Sequence, residues 1–536
     1  MVVALNETVR RGPRRRILVA TATAVLSLTF VGLGVRPHPA GEVRAAGRTD
    51  VKIAAFAPQT LDPAAAGDVA TAATVVQLFE SLTSFDPALV LRPALAASWD
   101  VSDDGRRVVF HLRPGITFSD GAPITADDVV GSWLRLVDPA SPSPLSSLLL
   151  DVQGAADRLA GRTSDNAGVG IHAVDGAVVV DLVRPGSDFP SIVASPSFGI
   201  VPPAVWRDHG QVPALHQVVS GAYSISAATA AELTLTANPR YWAGTPAITT
   251  VHLVLDIGGK SSIAAFEDGD VDDIPIASND ASWIAYDATL GPQLRRVPSL
   301  AVTYLGFDTS RAPFSDVRLR RAVGAAVDWA RIVRLGANNG EVAATSMVPP
   351  GIPGRGNTSW LPTHDPDAAR SLMAEAGYPN GVGFPTVVLG AGGAGYAEGI
   401  AADLKRELGI TVRIEDAADH FARLSSDPPA MWELGWIADY PGPNDFLGVL
   451  LGTGSSSNPG KWSSATFDAA IADALATRDP AAAQAAFERA LAEVQHDVPA
   501  VPLAYGDGWA LSRDGLLGAG ENGLGFKRLA SLAWAP

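Results

Sequence analysis

The segment MWELGWIADYPGPNDFLGVLLG, from Met431 to Gly452, gathers Trp432, Trp436, Tyr440 and Phe446 around one acid, Asp439, and ends in a Pro-Gly-Pro loop and an apolar run. A strand-like WELGWI feeding a rigid loop can present that carboxylate at a cleft with aromatic walls. Such a wall suits an ammonium group, which is charged but carried on apolar carbon. The plainer alternative is a set of core tryptophans beside an aspartate that caps its loop. Glu433, six positions upstream, adds a second acid and points to cationic ligands, unless its side chain faces the surface.

A second stretch, TVVLGAGGAGYAEGIAADLKRELGITVRIED, places Gly390, Gly392 and Gly395 at G-x-G-x-x-G spacing between a strand-like run and an amphipathic helix. That pattern can cradle a pyrophosphate, so an NAD-dependent oxidoreductase is one class to weigh. A lone match is weak, and we read the glycines as a tight strand-to-helix turn. The N–H groups of Gly392 and Gly395 would alternatively receive a carboxylate at the helix N-terminus. Other signatures fail. GGKSS at Gly258 has Val254 where a phosphate loop needs glycine, and the acids from Asp268 meet Asp273 and Asn279 at the sixth and twelfth calcium-loop positions. There is no G-x-S-x-G and no H-E-x-x-H, so binding is a better expectation than catalysis, and no cofactor or metal is expected.

The elements that must position these residues read as mixed α/β. WDVSDDGRRVVFHL forms a hairpin about Asp104-Gly105, GVGIHAVDGAVVVDLV a second about Asp175-Gly176, and Thr125 opens the helix ADDVVGSWLRLV. DVRLRRAVGAAVDWARIVRLG from Asp316 reads as one helix, and ATFDAAIADALATRDPAAAQAAFERALAEVQHD is helical too. At 536 residues, two or three domains are expected. Five arginines between Arg10 and Arg16 precede the uncharged run Ile17–Val35, an export signal or N-terminal anchor over residues 1–45. Without it, 33 Lys+Arg face 54 Asp+Glu, a charge near −21 that repels nucleic acid. Zero cysteines rules out disulfides, thiolate metal sites and a lipid-modified cysteine.

A family likeness now appears in ordered blocks: LDP at Leu61, LFESL at Leu78, PALAASWDVSDDGRRVVFHLRPGITFSDGAPITADDVVGSW from Pro93, GAYS at Gly221, NPRYW at Asn238, APFSDVRLRRAVGAAVD at Ala312 and GWIADYPGPNDFL at Gly435. The chain resembles solute-binding proteins of peptide-type ABC importers, most nearly their oligopeptide branch. The resemblance implies a two-lobed periplasmic-binding-protein-like fold with an extra small domain, closing about its ligand by a hinge. It implies a base lobe from residues 46–85, 215–303 and 506–536, a small domain over 86–214 and a second lobe over 304–505. It also implies a monomer that binds a peptide or small amine-bearing ligand outside the cytoplasm and passes it to a membrane permease. Asp439 would hold the ligand's α-ammonium, with Gly435, Trp436 and Ile437 as backbone partners, Tyr440 beside them, and Val69 a candidate on the opposite wall. Some relatives of this kind place arginine where Glu433 stands, so a ligand carboxylate lacks its obvious counter-charge here. A cell-envelope regulator or scaffold binding a lipid or glycan headgroup is the second class to carry.

Overall fold

The computed structural model describes residues 47–536 apart from positions 209, 298, 337–340, 358–359, 394, 418–419, 456, 478 and 521–522. The segment read as a signal or anchor lies outside the described residues. Among the described residues, no helix is long and apolar enough to cross a membrane.

Strand-forming runs among the described residues assemble into two large sheets, one of four strands and two strand pairs. The first has the order 294–297, 508–512, 273–276, 50–54, 250–254, 232–237 and 223–228. Its alternating strand Asp50–Ala54 buries Val51 and Ile53 and lies parallel to both neighbours, so the chain's beginning and end share one lobe. The second sheet has the order 342–343, 500–505, 301–307, 431–437, 387–390 and 412–415. Two short links, Val297 to Ala301 and Tyr505 to Gly508, join the sheets. The crossing therefore falls before Ala301 and not at Tyr304: residues 301–303 pair with Ile437, Trp436 and Gly435.

The third sheet, 96–101, 107–112, 177–181 and 171–174, is antiparallel throughout. Its hairpins turn where expected, with positive φ at Gly105, Asp175 and Gly176. Thr125 and Asp128 form a reciprocal capping box on the helix Ala126–Leu134. This small domain is fastened to the first lobe: Arg135 Nη1 lies 2.9 Å from Asp62 Oδ1, and the Arg113 guanidinium stacks 4.3 Å from the Trp242 ring centroid. One helix expectation changes. The run after Asp316 breaks into Val317–Ala326 and Trp329–Gly336, because Val327 is extended and the Asp328 carboxylate accepts the Arg331 N–H at 3.0 Å.

Candidate binding site

Alternation along Met431–Ile437 sorts its side chains. Trp432, Leu434 and Trp436 enter the second-lobe core with Phe467 and Leu491, while Glu433, Gly435 and Ile437 take the other face. The backbone alternates as well. Asp308 N–H donates to Ala430 C=O at 3.1 Å and Ala438 N–H to Leu300 C=O at 2.9 Å. Even-numbered peptide groups therefore face the strand 301–307, and odd-numbered ones face away. On that outer side the strand 387–390 covers only Met431 and Trp432. Glu433 C=O meets His420 Nε2 at 3.0 Å, and Gly435 is the next residue on the same outer side. Trp436 is thus corrected as a backbone candidate, because the ladder with Val302 uses its peptide groups.

The two residues after the strand, Ala438 and Asp439, line a cavity of about 10 Å³, room for about one water. Segments far apart in the chain contribute to its wall. Ala66 and Ala72 come from the first lobe, Leu145 and Ser195–Ser197 from the segment 86–214, and Leu524 and Phe526 from the C-terminal stretch. Asp439 is 8% exposed. Its orientation depends on Asp445, whose Oδ2 accepts the Asp439 N–H at 3.2 Å and Trp436 Nε1–H at 2.9 Å. Asp445 is fully buried, and burial together with the nearby Asp439 charge pushes its carboxyl well above the usual range.

Glu433 does not face the surface and does not line the cavity. It is fully buried, and neither carboxylate oxygen has a hydrogen-bond partner among the described residues. Burial raises its pKa to about 7, the Glu398 charge adds to the rise, and the amides of Gly392 and Tyr396 oppose it from beyond hydrogen-bond geometry. The carboxyl group facing this glycine turn is therefore the protein's own. Gly392 has a further reason to be glycine: a Cβ there would lie 2.5 Å from the Glu433 carbonyl oxygen. Gly395 has φ +81° and open space around it, which fits the plain turn. The folded protein binds the Glu433 proton more tightly than the unfolded chain, whose carboxyl titrates near 4.5. Stability from this group is thus fully present at low pH and lost as pH rises through 7, on the order of 3 kcal/mol. Glu433→Gln should raise the melting temperature by a few degrees at pH 8 and leave it nearly unchanged at pH 4.5. Thermal melts at both pH values check this, and an equal shift at both contradicts it.

Two further candidates change place. Tyr440 is fully buried within the small domain's apolar cluster and is not among the residues lining the cavity, its hydroxyl being bonded to Asp188. Val69 opens the helix Val69–Leu78 and packs toward Gly525, while its neighbours Ala66 and Ala72 form the wall. Sequence reading missed Leu524 and Phe526, whose one signal was two apolar residues in a glycine-rich tail. It also missed Ser195–Ser197, which carry no signal of their own.

Comparison with known proteins now bears on this geometry. Residues 90–458 match the model of the bacterial extracellular solute-binding proteins, family 5. The chain belongs to this family. The family 5 chain is 28% identical over 480 residues to the probable deoxycholate-binding periplasmic protein YgiS of Escherichia coli, covering 84% of this chain and 86% of that one. It is 28% identical over 495 residues to the periplasmic oligopeptide-binding protein OppA of Salmonella typhimurium, covering 87% and 89%. Among solved structures, the murein tripeptide binding protein MppA of E. coli superposes with a TM-score of 0.78 at 22% identity, over 91% of this chain and 99% of that one. The two-lobed fold is common to them.

Proposed function

We propose that this family 5 protein captures a peptide or related amine-bearing solute outside the cytoplasm and delivers it to an ABC permease. One observation carries the reading: Asp439 lines a cavity walled by both lobes and the small domain, just past the end of a strand that turns Gly435 away from its ladder with residues 301–307. An extended ligand can add along that edge while its ammonium meets the carboxylate. Burying such a cation without a partner would be costly, which makes the acid selective. The present cavity cannot hold a ligand residue, so entry requires the lobes to part about the two links near Val297 and Tyr505.

Family membership leaves the ligand open, since relatives are named for deoxycholate, oligopeptides, heme and glutathione. Asp439 selects among these chemistries in favour of a free amine. Glu433 lies outside the cavity wall, so it adds no support for a preference for basic side chains. Nothing on the site or among the relatives favours an envelope regulator or an oxidoreductase. Native mass spectrometry of protein purified without denaturation identifies retained cargo, and calorimetry then compares that cargo with its N-acetylated form. Acetylation is expected to abolish binding. Equal affinity for the blocked form rejects the amine role.

A further inference from the structure

Tyr440 is the residue after the cavity acid, yet it behaves as part of another domain. Its ring sits in the small-domain core with Phe189, Ile192 and Trp133 and has no solvent exposure. Its hydroxyl donates to Asp188 Oδ2 at 2.7 Å. Asn444, from the same second-lobe loop, donates through Nδ2 to the same oxygen at 3.0 Å and to the tyrosine hydroxyl at 2.9 Å. One more bond crosses nearby, from Ser187 N–H to Leu475 C=O at 3.2 Å. The small domain is bonded to the first lobe, whereas Tyr440, Asn444 and Leu475 belong to the second, and only two short links connect the lobes.

We propose that Asp188 and the apolar socket beside it are the receptor for Tyr440, a closing contact that holds the second lobe on the small domain even without ligand. Tyr440, Asn444 and Asp188 are then positioning residues: they touch no ligand but fix the loop that carries Asp439. Parting the lobes would expose an aromatic ring and open three hydrogen bonds at once, so the contact acts as a unit. Because Tyr440 adjoins Asp439, seating the tyrosine and presenting the acid are one movement.

The absence of cysteine permits a clean test. Ser164→Cys in the small domain and Ala482→Cys in the second lobe, both at exposed positions, accept nitroxide labels for pulsed electron–electron distance measurement on ligand-free protein. The otherwise unaltered labelled protein should show a population at the separation of the present structure. Tyr440→Phe should reduce the closed-to-open ratio about five-fold, the effect of losing one net hydrogen bond, and Asp188→Ala, which removes the acceptor of two, by more. Circular dichroism melts confirm that each variant folds. Distributions that do not change in either variant, or labelled protein without the short distance, overturn the proposal. No ligand enters the measurement, so its failure is separate from any failure of the amine-binding reading.

Discussion

Replacing Asp439 by asparagine is expected to weaken ligand binding by roughly 30-fold to more than 1,000-fold while leaving the fold intact. The side chain is almost the same size, so packing around Ala438 and Leu524 is kept, but the charge is gone. Removing one member of a buried, hydrogen-bonded charge pair costs about 2–5 kcal/mol, much of it from the ligand cation left without a partner. The loss should appear mainly as faster dissociation. Asp445→Asn supplies the contrast: its amide oxygen can still accept the Asp439 N–H and Trp436 Nε1–H bonds, so most of the affinity should remain. Calorimetry on both variants with the retained cargo measures the difference. Equal affinity for wild type and Asp439→Asn would contradict the assignment.

The second large effect is on stability. Arg528, near the chain's end, places Nη1 2.7 Å from Glu80 Oε1, and Tyr241 donates its hydroxyl to Glu80 Oε2 at 2.5 Å. Glu80 is 2% exposed, so Glu80→Ala leaves a largely enclosed guanidinium with no acid. That change should cost about 3–5 kcal/mol, read as a lower denaturation midpoint at an unchanged slope. Replacing both residues by methionine should cost clearly less, because no charge is then stranded. A double variant as unstable as Glu80→Ala would show that packing and not charge dominates there. The pair also bears on the site, since Arg528 anchors the stretch that brings Leu524 and Phe526 to the cavity wall.

Much of the fold could be read from local chemistry. Asp104-Gly105 and Asp175-Gly176 need the left-handed backbone of tight hairpins, and Thr125 with Asp128 makes a reciprocal cap, so both signals are complete within a few residues. Asp439 stood out as an acid among aromatics before a Pro-Gly-Pro loop, and it does line the cavity, while its hold on a ligand remains the proposal made above. What stayed hidden depends on contacts distant in sequence. Nothing local shows that Tyr440 seats against Asp188, some 250 positions earlier, or that Glu433 faces the glycine turn. Period-two alternation does put Trp436 in the ladder once its partner strand is known, but that partner is Ala301–Phe307, which the sequence divided between two lobes. The Asp316 helix was drawn too long for a similar reason: its break rests on Asp328, whose N–H donates to Asp403 Oδ2 at 3.1 Å.

The most direct measurement is a crystal structure of the protein with its retained cargo. The expected result is a ligand nitrogen within hydrogen-bonding distance, about 3 Å, of an Asp439 carboxylate oxygen, with the ligand passing alongside Gly435. A cargo seated elsewhere, with Asp439 turned to bulk water, would contradict the account.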